Sequence, residues 1–218
     1  RDRFVFVFFL LTVLIGAIST HYDESFPRAV LGDGYVEMTL ENIENGDPMG
    51  VYKSMESNSM FLAITFNNLK VASYTFISGI LFSLGTLYFL FQNGVMLGSF
   101  QYFFAQQGLL LDSFLTIWIH GTIEISSIII AGTAGVVLGN SFLFPGTFTR
   151  KQSLIAGAKD SLKILISIVP LITLAGFLEG FVTRHTDAPN LLRGAIIFLS
   201  LIFILWYFVY YPIRLSKK

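Results

Sequence analysis

The sequence predicts an all-α integral membrane protein: a polytopic bundle of about six transmembrane helices, one of them short or re-entrant, with amphipathic interfacial helices. Three observations predict this class. Hydrophobic residues make up 54% of the 218 residues and charged residues 13%, and 23 phenylalanines give more apolar surface than one aqueous core needs. Several apolar runs reach the roughly 20 residues that cross a bilayer. Basic and acidic residues, balanced at 14 each, fall in different segments.

Five apolar runs qualify as spans, and a sixth is shorter and ends in polar residues. The first, residues 4–20, is interpreted as a retained span, because a charged loop follows it without a small-residue cleavage site. The sixth, residues 94–107, follows Asn93-Gly94, which is interpreted as the tight cytoplasmic turn of a helical hairpin. The other predicted spans cover residues 70–91, 114–139, 164–183 and 191–212.

The distribution of charge favours six crossings over five. Residues 21–69 carry eight acidic side chains against Arg28 and Lys53, which places this loop outside. The basic residues concentrate in a loop over 140–163 and at the two termini. Because basic segments are retained in the cytoplasm, six crossings with both termini cytoplasmic satisfy every segment. The basic residues in question are Arg1, Arg3, Arg150, Lys151, Lys159, Lys163, Arg214, Lys217 and Lys218.

The domain organisation follows from this topology. Residues 1–218 form one transmembrane domain, and the start at Arg1 rather than methionine predicts that an upstream segment is missing. Without cysteine the chain has no disulfide and no thiolate metal ligand, and its zero net charge predicts no nucleic-acid partner.

Two loops contain patterns typical of amphipathic helices. In the outer loop, three apolar residues face away from three glutamates, and Gly46-Asp47-Pro48 ends the pattern. The sequence predicts that this helix lies on the outer leaflet and docks a partner. In the cytoplasmic loop, the second helix has a basic polar face that suits an anionic inner surface. The apolar residues are Val36, Leu40 and Ile43 in the first helix, and Leu154, Ile155, Ala158 and Leu162 in the second.

Three pairs of glycines lie four residues apart within predicted spans. Such pairs let another helix approach closely where lipid offers no hydrophobic drive for association. Packing within the chain is the first interpretation, and a homodimer seam is the alternative. The pairs are Gly94 with Gly98, Gly135 with Gly139, and Gly176 with Gly180.

Beyond the first three residues of the predicted spans, three charged or imidazole side chains lie inside them, where each is costly and therefore a functional candidate. His120 and Glu124 are one helical turn apart and share a face. In the six-span topology His120 lies about 9 Å and Glu179 about 6 Å below the outer surface. Asn67 and Asn68, near the outer entry of the second span, are expected to complete a polar cluster.

This cluster has three interpretations. A structural polar network that sets helix register is the first, and a proton or substrate pathway that opens outward is the second. A metal site or a general base is the least favoured, because the chain has three histidines and no zinc-hydrolase motif. The sequence thus predicts no catalytic residue, no metal and no cofactor.

The order of these motifs resembles the stage II sporulation protein M family of bacterial membrane proteins. The resemblance extends over residues 61–181 and includes the motifs at 67–68, 93–98, 120–124, 131–135 and 176–181. It implies a non-enzymatic membrane scaffold for peptidoglycan-degrading enzymes that drive engulfment in sporulating bacteria. It also implies a multi-pass location in the bacterial cytoplasmic (inner) membrane, and a soluble cytoplasmic segment before the first span as the missing upstream part. Relatives in bacteria that do not sporulate have no assigned role.

Two functions are therefore expected. The first is a scaffold for envelope or peptidoglycan-remodelling partners. The alternative is a permease, or the membrane subunit of a transporter, with an outward-facing polar cavity. Membrane lipids and envelope proteins are the expected partners, with a homodimer as a further alternative.

Overall fold

The computed structural model describes residues 1–216, and helices joined by short connections make up this range. Lys217 and Lys218, assigned above to the cytoplasmic tail, lie outside the described residues. The α-helices are α1 (Asp2–Tyr22), α2 (Phe26–Leu31), α3 (Asp33–Glu44), α4 (Ser57–Ile77), α5 (Leu84–Gln106), α6 (Leu110–Leu143), α7 (Arg150–Phe177), α8 (Asn190–Leu205) and α9 (Tyr211–Ser216). Short 3₁₀ turns lie at Gly50–Lys53 and Ser78–Ile80, and π-helical turns at Leu178–Thr183 and Trp206–Tyr210.

Four helical stretches within the described residues are long and apolar enough to cross a membrane. They are Asp2–Tyr22, Leu110–Leu143, Arg150–Thr183 and Asn190–Leu215. Helices α4 and α5 are 21 and 23 residues long, which is also a spanning length, but they are more polar. The all-α membrane class is therefore confirmed.

Helix α6 lies at the centre of the bundle. It contacts α1, α4, α5, α7 and α8. Small buried residues, among them Ala131, Gly132, Ala134 and Gly135, let the neighbouring helices approach its backbone closely. Helix α6 therefore has other helices packed on most of its sides.

The ends of the six long helices fall into two groups. At one end, Thr20 of α1 donates a hydrogen bond to Ser99 of α5 at 2.8 Å, and Arg193 of α8 donates to Thr116 of α6 at 3.1 Å. At the other, Ser153 of α7 donates to the carbonyl of Ser141 in α6 at 2.6 Å. Long helices that follow one another along the chain therefore alternate in direction, whereas the contacting pairs α1 with α5 and α6 with α8 each run the same way. We call the first group the upper end and the second the lower end.

The predicted hairpin turn at Asn93-Gly94 is wrong. Both residues lie inside α5, and the chain reverses instead at residues 78–83. Phe82 and Ser83 there have φ angles of 55° and 66°, which non-glycine residues adopt rarely. The turn contains Ile80, Leu81 and Phe82, so its hydropathy does not differ clearly from that of the helices on either side. The sequence therefore predicted one continuous span over 70–91. As a consequence α5 is a continuous helix of 23 residues, longer than the predicted run over 94–107.

The two predicted loops are shorter than expected. The region 21–69 includes the first half of α4, and the region 140–163 includes the end of α6 and the start of α7. The amphipathic helix predicted in the second loop is therefore not separate from the following span. Leu154 and Ala158 pack against Phe76 and Leu138 in the lower part of the bundle.

The amphipathic helix predicted in the first loop forms as α3. Gly46, with φ of 76°, follows its end and permits the turn towards the bundle. Val36 on its apolar face packs with Phe103, Phe104 and Ile117 of α5 and α6. The expected position flat on the outer leaflet is therefore wrong, because this face is covered by protein.

Candidate functional site: a polar cluster in a roofed cavity

The candidate site is centred on His120, two to three turns into α6. The imidazole is buried, with 4% of the residue exposed. Its Nδ1 lies 3.0 Å from the hydroxyl of Thr183, and its Nε2 lies 3.6 Å from Oε2 of Glu179. The second distance is too long for an ordinary hydrogen bond. Glu179 and Thr183 belong to the π-helical turn that follows α7, so two elements position the histidine.

Glu124 lies one turn further along α6, on the same face as His120. One ligating atom from each of His120, Glu124 and Glu179 lies within 4.8 Å of the other two. The structure thus brings together the three ionisable residues that the sequence had placed at similar depths.

Asn67 and Asn68 of α4 line the same cavity as these side chains. Nδ2 of Asn67 donates a long hydrogen bond of 3.5 Å to Oδ1 of Asn68. The side chain of Asn68 interacts with the Glu124 carboxylate, but its buried Nδ2 lacks an acceptor at normal hydrogen-bond geometry. Both asparagines therefore join the cluster, and Asn68 retains one unused donor.

The cluster opens into a cavity of about 570 Å³. Helices α4, α5 and α6 form its walls, and Glu179 reaches it from the turn after α7. Most of the lining is apolar, so the charged and amide groups are confined to one region. The wall residues include Ala63, Ile64, Met96, Leu97, Phe100, Ile117, Trp118, Gly121 and Ile125.

Residues from the segment between α1 and α4 roof the cavity. Val30, Leu31, Tyr35, Val51 and Tyr52 line it from above, and we call these five residues the roof. The Tyr52 ring lies 5.8 Å from the imidazole of His120, between ring centroids. Burial raises the pKa of Tyr35 to about 12, and that of Tyr52 well above its usual value of 10.0, with the Glu179 carboxylate contributing to both. Both phenols are therefore neutral donors at physiological pH.

Several residues of the site were not found from the sequence. Tyr35 and Tyr52 lie in a loop region, where periodicity does not show which side chains return to the bundle. Thr183 was taken as the end of a span rather than as a partner of His120. Arg193, 7% exposed at the upper end of α8, was not predicted as a site residue. It lies near the start of an apolar run, where a basic side chain is expected to reach the membrane surface. Its Nε has no hydrogen-bond partner, although its other nitrogens bond Thr116 and Asn190.

The three glycine pairs all pack against other parts of the same chain. A Cβ on Gly94 or Gly98 would overlap α1, and one on Gly135 or Gly139 would overlap the region of α4, α5 and their connecting turn. Gly176 and Gly180 lie against Thr65 and Phe61 of α4. Intrachain packing therefore uses all six glycines, and a homodimer seam at these pairs has no surface on which to form.

The arrangement can bind a cation or exchange protons. Two carboxylates and an imidazole converge in an environment of low polarity, where an unneutralised negative charge is costly. Within the described residues, no Lys or Arg makes an ion pair with Glu124 or Glu179. A proton or a bound cation is the remaining way to balance their charge.

Long apolar helices around an internal polar cluster define an α-helical membrane protein with a cavity beside that cluster. The chain belongs to the stage II sporulation protein M family. The sequence pattern of this family matches residues 5–184. The match confirms the resemblance seen in the sequence and extends it over α1 and the roof.

One relative is archaeal. It is an uncharacterised protein of Methanocaldococcus jannaschii, 28% identical over 182 residues, which cover 82% of this chain and 78% of the relative. Similar proteins therefore occur outside bacteria, and the bacterial source expected from the sequence stays a prediction. No solved structure matches the chain.

Proposed function

We propose that this protein is a permease, or the membrane subunit of a transporter, that binds a proton or a cation at His120, Glu124 and Glu179. The observation that carries the proposal is the cavity of about 570 Å³ into which these three side chains converge. A purely structural network would be expected to lie in a closed, fully packed bundle, because unfilled space removes favourable packing contacts and so destabilises the fold. Open space beside unpaired carboxylates is what a binding site requires.

The proposed topology has six crossings, formed by α1, α4, α5, α6, α7 and the continuous stretch from α8 to α9. Alternating helix directions support this count, since α4 and α5 run through the bundle beside α1 and α6. The upper end is assigned to the outside, because the acidic segment follows α1 there, whereas Arg150 and Lys151 begin α7 at the lower end. Both termini then lie in the cytoplasm, and the cavity lies near the outer face of the cytoplasmic membrane.

Proton flux into liposomes tests this proposal. The wild-type chain is reconstituted with a trapped pH-sensitive dye, and uptake is followed after a pH step across the membrane. We expect wild-type uptake above that of empty liposomes, and its loss in Glu124→Gln and Glu179→Gln. Each substitution keeps the side-chain shape but removes the titrating group.

Glu41→Gln is the matched control, because it removes one carboxylate from the exposed face of α3 outside the cavity. Its uptake should equal that of the wild type. A wild type that transports neither protons nor monovalent cations across liposomes, or cavity variants as active as Glu41→Gln, would contradict the proposal.

A scaffold function is the second candidate, and the surface of α3 favours it. Glu41 and Glu44 point into solvent, while Val36 on the other face anchors the helix to the bundle. A rigid acidic face at the outer surface suits a basic envelope partner. In this candidate the chain carries out no reaction, and the polar cluster acts through folding.

Charge reversal tests the scaffold candidate without removing the roof of the cavity, which deletion of the loop would do. Envelope proteins captured by the wild type should be lost with Glu41→Lys combined with Glu44→Lys. Asp187→Lys, an exposed acid in another upper connection, is the control and should retain them. Equal capture by both variants would exclude this face as the docking surface.

A further inference from the structure

We propose that His120, Glu124 and Glu179 bind one divalent cation of the zinc class, with the cavity supplying the open coordination position. The sequence disfavoured a metal here because no histidine pair occurs on one helix. The structure assembles the donors from α6 and the turn after α7 instead, with ligating atoms within 4.8 Å of one another.

The separation of His120 and Glu179 fits two ligands of one ion. At 3.6 Å, Nε2 and Oε2 are too far apart for a normal hydrogen bond. Two ligands that are each about 2.1 Å from a tetrahedral ion lie roughly 3.4 Å apart. The Glu124 carboxylate, with an oxygen within 4.8 Å of both, is the third ligand.

The environment of His120 prepares Nε2 for coordination. Thr183 occupies the other ring nitrogen at 3.0 Å, and in the tautomer we assign, Nδ1–H donates to its hydroxyl. The lone pair of Nε2 then faces an oxygen of Glu179, and the two repel each other unless a proton or a metal ion lies between them. Ligating histidines are typically oriented by such a hydrogen bond from the second nitrogen.

Asn68 provides a second, independent indication of a ligand. Its residue is 6% exposed, its Nδ2 has no acceptor, and its side chain lies against Glu124 in the cavity wall. The oxygen and nitrogen of an amide exchange places by a rotation of 180° about the terminal bond. If both Asn67 and Asn68 rotate, their mutual hydrogen bond survives with donor and acceptor exchanged. Oδ1 of Asn68 then faces the cluster as a further oxygen ligand.

Charge and donor chemistry identify the class of ion. A divalent cation neutralises two carboxylates in a setting where a net negative charge is costly. An imidazole with carboxylate oxygens favours zinc and similar transition ions, whereas magnesium and calcium prefer sites made of oxygen alone. The proposal concerns binding at equilibrium and holds whether or not the protein transports anything.

Zinc titration of the purified full chain tests the proposal. The affinity tag is removed, the protein is stripped with a chelator in detergent, and ZnCl₂ is added in a calorimeter with excess MgCl₂ present. We expect about one zinc ion per chain, as in a mononuclear site. Thr183→Val should weaken binding roughly 10- to 100-fold through misorientation of the imidazole. His120→Ala should weaken it further.

His185→Ala is the control, since it removes an exposed histidine at the same end of the bundle and should leave the affinity unchanged. Visible absorption of the Co²⁺-loaded wild type gives a second readout that does not depend on the folding of His120→Ala. Bands of bound cobalt that change in Thr183→Val support the site. The spectrum of free aqueous cobalt, or zinc binding equal in wild type and His120→Ala, would overturn it. Zinc binding without proton flux would contradict only the proposed function, and flux without zinc only this inference.

Discussion

Replacing Gly135 by alanine should destabilise the bundle, because α6 there lies close against α4 and α5 beside their chain reversal. A Cβ at Gly135 would lie 2.7 Å from the carbonyl oxygen of Thr75 and overlap the hydroxyl of Thr86. That hydroxyl donates a buried hydrogen bond of 2.7 Å to the same carbonyl. The added methyl group therefore both overpacks the contact and displaces the hydrogen bond.

The magnitude can be worked from these contacts. Overpacking costs about 1–3 kcal/mol, and a buried hydrogen bond in a membrane bundle contributes about 0.6 kcal/mol. The higher helix propensity of alanine offsets up to about 1 kcal/mol. The free energy of unfolding should therefore fall by about 1–3 kcal/mol.

Gly121→Ala in the same helix is the matched control. Its Cβ would meet Ile117 at 3.7 Å, an ordinary contact, so only the propensity gain of up to about 1 kcal/mol applies. Unfolding in mixed micelles with increasing SDS, followed by tryptophan fluorescence, compares the two variants. If Gly135→Ala unfolds at the same SDS fraction as Gly121→Ala, the close approach of α6 to this turn is wrong.

Three further predictions concern the upper end. Hydrogen bonds from the backbone N–H groups of Ser59 and Asn58, in the first turn of α4, lower the pKa of Glu56 below its usual value of 4.5. Its cap is therefore complete above pH 4.5 and is lost only as the pH falls through this lowered pKa. Protection of the amides of that turn against hydrogen exchange, taken relative to the intrinsic exchange rate at each pH, should therefore fall in acid for the wild type but not for Glu56→Gln, which lacks the titration; identical pH dependence of the protection would contradict this. Burial raises the pKa of the Tyr35 phenol from 10.0 to about 12, so its contribution to the free energy of unfolding is complete below pH 10.0 and is lost as the pH rises towards about 12. The ultraviolet absorbance change of phenol ionisation near pH 12 should therefore be smaller in Tyr35→Phe by the share of one tyrosine. Thr20→Val and Ser99→Ala should show a coupling of about 0.6 kcal/mol in a double-mutant cycle, and additivity would argue against their hydrogen bond.

The sequence predicted features that depend on local periodicity. His120 and Glu124 share a face because they stand four residues apart on one helix, and this spacing survives any error in the span boundaries. Glu179 was placed with them by counting residues from a helix end. The acidic face of α3 followed from the same helical period.

Features set by tertiary contact were not predictable in this way. The chain reverses at Phe82 and Ser83, where neither residue type signals left-handed backbone, while the Asn93-Gly94 dipeptide imitates a turn inside a helix. Packing of Gly79 against the backbone of Gly135 stabilises the true turn, and that contact joins residues far apart in sequence. The roof could not be predicted for the same reason. Hydropathy does not show that Tyr52 packs beside His120, because the two residues are far apart in sequence.

The roof has a mechanical consequence for any partner at the surface. Tyr35 lines the cavity and Glu41 faces solvent, yet both belong to the same 12-residue helix. A protein that holds the acidic face of α3 therefore also holds the cover of the cavity. If such docking changes the affinity for a ligand beside His120, thermodynamic linkage requires the ligand to change the affinity for the partner by the same factor. Attachment to an envelope partner and binding of a ligand in the cavity would then both depend on the position of α3.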